Sequence, residues 1–133
     1  MGDLRELIER VEKLEGPVDG VTAAGLANSF GPWPCESEEW HLFVNALRPT
    51  MEAIGAAIAL CERVLPGWDV TACFDGASAP VGKRGGAVVR NPSLEEEPSY
   101  TAWGHPTPSI ALTVATLRAL SDQVTRQGEE SGR

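Results

Sequence analysis

Thr107-Pro108-Ser109-Ile110-Ala111-Leu112-Thr113-Val114-Ala115-Thr116-Leu117-Arg118-Ala119-Leu120 is the stretch that decides the fold. Thr107 carries an N-cap hydroxyl, and Pro108 takes the first helical position, where a missing N–H costs nothing. Ile110, Val114, Leu117 and Val124 form one apolar stripe, which Ala111, Ala115 and Leu120 widen. A helix apolar over so broad an arc is expected to be largely buried, here against a sheet. His105, between Gly104 and Pro106, reads as a turn residue ahead of the cap, and residues 128–133 read as a flexible polar tail after a single domain spanning 1–127.

The sheet is sought upstream. Trp68, Val70, Ala72 and Phe74 alternate with Asp69, Thr71 and Cys73, the period of a strand. The turn signal Asp75-Gly76 follows it. Ala87–Arg90 reads as a second short strand and Ser99–Trp103 as a third, in an antiparallel meander. Three short strands need a layer of helix on them. The reverse face is either covered by a further layer or left wet. Two long helices and an amphipathic first helix suffice to cover a small sheet. The expected fold is therefore α+β: a small antiparallel three-stranded meander sheet layered with helices as an α-β-α sandwich, in the order α-(α)-α-β-β-β-α.

The helices that precede the sheet differ in clarity. Asp3 and Glu6 make a variant capping box, and Leu4, Leu7, Ile8, Val11 and Leu14 share one stripe until Gly16-Pro17 stops the helix. Residues 21–28 read as a short helical turn or a loop. Residues 29–45 read as irregular, because Gly31, Pro32 and Pro34 break any period. The aromatics there, Phe30, Trp33, Trp40 and Phe43, either fold back on the core or form a binding rim. A second main helix is expected from a cap at Thr50, with Ile54, Ala57, Ile58, Cys61 and Leu65 on its inner face, ending at Pro66-Gly67.

Composition narrows the classes. The 133 residues suit one domain, and 42% hydrophobic with 23% charged residues is a globular balance. A formal net charge of −8 opposes direct binding to nucleic-acid backbones and anionic lipid, and suits a partner with a basic surface. The three cysteines, Cys35, Cys61 and Cys73, have neither disulfide-framework nor zinc spacing and fit a reducing cytoplasm. The two histidines lack HxxxH spacing, so neither a metal nor another cofactor is expected. The first residues lack the apolar run of a signal peptide, and no stretch is apolar enough to span a bilayer.

The order of these elements resembles the small phage and prophage proteins that carry a phage ABA sandwich domain. The residues that carry the likeness are Asp3–Glu12 with the Glu15-Gly16-Pro17 stop, the helix Met51–Leu65 running into Pro66-Gly67-Trp68, and Thr107–Leu112 with Leu117–Leu120. They cover about half the chain. The stretches 29–45 and 76–86 depart from the pattern. The resemblance implies a layered α-β-α fold and a phage origin in a host bacterial cytoplasm, and carries over no catalytic residue.

Two clusters are candidate sites. Lys83, Arg84, Gly85 and Gly86, with Arg90 nearby, have the backbone amides and cations of a phosphate cradle, but lack P-loop spacing and a following helix start, so a hairpin tip with exposed charges is the favoured reading and the cradle the alternative. Trp33 and Trp40 beside Glu38 and Glu39 are a candidate partner-binding patch. Cys35 and His41 have no spacing that marks a nucleophile and base, and Glu95-Glu96-Glu97 reads as a solvated run. No catalytic residue is assigned and an enzyme is not expected. The expected function is a phage- or prophage-encoded accessory protein that acts by binding a protein, an anti-defence role being the most concrete version. The alternatives are a nucleotide- or phosphate-ligand binding protein or small enzyme using the 76–90 loop, and a structural subunit that oligomerises.

Overall fold

The C-terminal helix lies at the centre of the molecule. In the computed structural model, which describes residues 4–74, 85–91 and 99–131, the order is α1 (Leu4–Glu12), α2 (Gly20–Phe30), α3 (Glu38–Ala46), α4 (Ala53–Val64), β1 (Asp69–Phe74), β2 (Gly85–Arg90), β3 (Ser99–His105) and α5 (Pro108–Ser131). Every residue from Ser109 to Leu117 on α5 is buried. That includes Thr113, whose hydroxyl donates to the Ser109 carbonyl at 2.8 Å and so enters the core with its hydrogen bond made. Thr107 caps the helix as its sequence indicates: its Oγ1 accepts from the Ile110 N–H at 3.1 Å. The helix continues to Ser131, into the stretch expected as a polar tail.

The fold is α+β, with a three-stranded antiparallel meander ordered β1-β2-β3. Val70 pairs with Val89 and Ala72 with Ala87 across the first ladder, and Ala87 pairs with Ala102 and Val89 with Tyr100 across the second. These residues share the face that packs on α5, and Ala87, Val89 and Ala102 are buried in it. On its other sides α5 meets α1, α3 and α4. The layers therefore run sheet, α5, outer helices. Among the described residues no helix covers the second face of the sheet, so the sheet is an outer layer rather than the middle of an α-β-α sandwich. One long helix buried on all sides over residues 109–117 accounts for this: it receives the sheet on one side and helices on the other, and a middle sheet is not needed.

Two helices depart from their sequence reading. Residues 38–46 form α3 where irregular chain was expected. Ser37 Oγ accepts from the Trp40 N–H at 3.2 Å, and Phe43, Val44 and Ala46 enter the core. The prolines end at Pro34, ahead of the cap, so they delimit the helix without interrupting it. Glu36 takes the left-handed conformation (φ 66°) in the turn that brings the chain to Ser37, whose N–H reaches the Pro34 carbonyl. Residues 20–30 form a full helix, capped by Asp19, which accepts from the Thr22 N–H at 2.7 Å. That hydrogen bond holds the Asp19 carboxyl below its ordinary pKa.

α4 begins at Ala53, three residues after the expected cap at Thr50, and its Glu52 N-cap makes no side-chain bond. Its buried face is Ala53, Ala56, Ala57, Leu60 and Cys61, while Ile58 is exposed. The inner face is rotated toward the alanines because they let α4 approach α5 closely. α1 buries Leu7 and Val11, and its Glu6–Arg10 pair closes at 2.8 Å.

Candidate functional site

The open face of the sheet is built by the strand alternation itself. Residues whose neighbours point to α5 must point away from it: Asp69 and Thr71 from β1, Val88 and Arg90 from β2, and Ser99, Thr101 and Trp103 from β3. Trp103 is 52% exposed and lies over Gly86. A Cβ on Gly86 would overlap the indole ring, so glycine there lets the ring lie flat on the sheet. Arg90 Nη2 lies 3.4 Å from Asp69 Oδ2 at one end of the face. Asp69, Val70, Thr71, Val88 and Arg90 line a shallow recess there.

A bulge between β2 and β3 sets the other end. Gly85 pairs with His105 and Gly86 with Trp103, leaving Gly104 as the extra residue with φ 77°. The extra residue returns His105 to the helical side. His105 is therefore a buried strand residue rather than the turn residue its flanking Gly104 and Pro106 suggest. Burial lowers its pKa from the ordinary 6.5, the Arg118 charge lowers it further, and Glu12 opposes both. Arg118 joins three elements: its Nε donates to Glu12 on α1 at 3.0 Å, and its Nη1 to the Thr101 carbonyl on β3 at 2.6 Å. That second bond occupies a carbonyl on β3, an edge strand of the sheet.

The residues singled out in the sequence fall in different places. Lys83 and Arg84 lie outside the described residues. Gly85 and Gly86 are paired strand residues, and a Cβ on Gly85 would overlap the Thr107 carbonyl. Their lack of side chains serves close packing of β2 against the start of α5 and under Trp103. Arg90 points to the open face beside Asp69.

Trp33, Trp40, Glu38 and Glu39 are drawn into the helical side. Trp33 packs on Phe43 with ring centroids 5.6 Å apart. Trp40 Nε1 donates to Asn28 Oδ1 on α2 at 2.9 Å and its ring meets His41 edge-on. Glu38 and Glu39 both reach Arg63 of α4, at 3.1 and 2.6 Å. The Arg63 hydrogen bond holds the Glu39 carboxyl below its ordinary pKa. Two acids in the first turn of α3 also suit its positive end.

Cys35 is exposed, whereas Cys61 is buried, and burial pushes its thiol pKa up. Among the described residues no group of three His, Cys, Asp or Glu side chains is placed to hold a metal ion. No helix of the described residues is long and apolar enough to cross a membrane. Sequence reading missed Trp103 as a surface feature. The signal was present in Gly86, Gly104 and Trp103 taken together, since glycines in strands mark bulges and close approach.

No protein-family model matches the chain, and no curated protein or solved structure matches it.

Proposed function

We propose that this chain acts by binding a protein partner through the open face of its sheet, as an accessory protein of the phage type that its capping pattern resembles. The observation that carries the reading is the exposed Trp103 ring, laid on Gly86 within a face that no described helix covers. A half-exposed indole on a rigid strand is a low-entropy anchor for a partner surface. Around it are the hydroxyls of Thr71, Ser99 and Thr101, the methyls of Val88, and the Asp69–Arg90 pair. This is an apolar centre with a polar rim. The net charge of −8 selects a partner whose contact surface is basic, because like-charged surfaces are repelled before contact. A basic host complex in a bacterial cytoplasm, countered by a phage protein, meets that description.

Trp103→Ala and Thr101→Arg test the reading, since both positions are exposed and neither change removes a core contact. A partner held by the native chain and released by both variants, at unchanged far-UV circular dichroism, supports it. A partner held equally by all three proteins removes the sheet face from the account. Failure to find any partner among host extracts removes the binding function itself.

A further inference from the structure

A second surface is distinct from the open face of the sheet. The start of α5 and the start of α4 enclose an open cleft of about 330 Å³. Its apolar wall is Pro17, Pro49, Met51, Ile54 and Ala72, and its polar groups are Arg48, Thr50, Thr107 and Ser109. Met51 is 99% exposed on its rim, an apolar side chain that nothing in the fold uses.

The electrostatics of this cleft run against those of the whole chain. The protein carries 19 acidic and 11 basic side chains. Arg10, Arg63, Arg90 and Arg118 each stand beside a carboxylate. Arg48, by contrast, has no carboxylate partner among the described residues. Its Nε and Cζ pass beside Gly20 at the start of α2, where a Cβ would come within 3.7 Å of Nε, and the same side chain lines the cleft. α4 starts beside it, and the exposed Glu52 at its N-cap offsets the positive end of that helix, so Arg48 is the cationic group of the cleft. Glu52, the nearest acid in sequence, is not part of the wall. A cation without a carboxylate partner on the border of an apolar hollow favours a ligand with one negative group and an apolar remainder.

We propose that the cleft between the starts of α4 and α5 binds a small amphiphilic anion, a single carboxylate or phosphate head on a compact apolar body. Arg48 takes the head group, with Thr50 as a second donor. Met51, Ile54, Pro17 and Pro49 receive the body. The volume lies at the lower end of small-molecule pockets, about 300–1,000 Å³, which limits the body to a short chain or a single ring.

The test is a two-dimensional 1H–15N NMR titration of the full chain with hexanoate, hexyl phosphate, hexan-1-ol and inorganic phosphate. Saturable shifts centred on the amides of Arg48, Ile54, Gly55 and Ser109 are expected with hexanoate, hexyl phosphate or both, and the tighter of the two identifies the head group. Hexan-1-ol and inorganic phosphate, each lacking one half of the ligand, are expected to bind at least about ten-fold more weakly. Arg48→Gln is expected to weaken binding by about ten- to a hundred-fold. Hexan-1-ol binding as well as the anions, an unchanged affinity in Arg48→Gln, or no saturable shift at these amides would each overturn the proposal.

Discussion

Single residues carry more of this architecture than their size suggests. Gly85 and Gly86 are neighbours with different tolerances. A methyl on Gly85 meets the backbone of Thr107, which is fixed by the start of α5, whereas a methyl on Gly86 meets the far edge of the Trp103 side chain, which has solvent on its outer side. Gly85→Ala is therefore expected to cost about 2–3 kcal/mol and Gly86→Ala about 1 kcal/mol or less, read from urea denaturation. Equal losses would mean that the ring is as firmly held as the backbone. His105 adds a pH dependence. Its folded pKa lies below the ordinary 6.5 because burial and Arg118 disfavour the imidazolium. The unfolded chain therefore binds the proton more readily. The contribution of neutral His105 is intact above about pH 6.5 and is lost as pH falls from there toward the folded value. His105→Gln should flatten the stability profile in that window, and superimposable profiles would place His105 in water.

At the scale of elements, α3 shows where reading the sequence fails and why. Its cap Ser37 and its buried Phe43 and Ala46 are present in the sequence, but Pro32 and Pro34 upstream hide them. Ser37→Ala should cost about 1 kcal/mol through the lost cap. Glu36→Gly should stabilise by about 0.5–1 kcal/mol, because relief of the left-handed residue outweighs the added freedom of the unfolded chain. Thermal melts of the two variants moving in opposite directions would confirm the turn-and-cap geometry. α5, by comparison, is legible from Thr107-Pro108 and its apolar breadth, and the strands from their alternation and turn signals. The buried face of α4 was legible at Ala57, Cys61 and Leu65, while Ile58 lies at its exposed edge because the face is centred on Ala53, Ala56, Ala57 and Leu60. The candidate sites were least legible. Glycines in 82–86 look the same whether they cradle an anion or admit a neighbouring ring, and only the ladder places Gly86 under Trp103. Arg48 carries no motif at all, and its significance depends on which carboxylates the fold brings to the other arginines.

The whole molecule is organised around α5, with the sheet on one side and α1, α3 and α4 on the others. This arrangement leaves one sheet face free for a partner and sets the start of α5 against the start of α4, where the cleft forms. Both proposed surfaces follow from the one central helix. Native-state hydrogen exchange tests that claim most directly. If α5 is the shared core, the amides of 112–117 and of 87–89 in β2 exchange only through global unfolding, at the free energy found by denaturation, while α1 opens earlier. Exchange of 112–117 at a lower free energy than the outer helices, or retention of the sheet after α5 has opened, would contradict it.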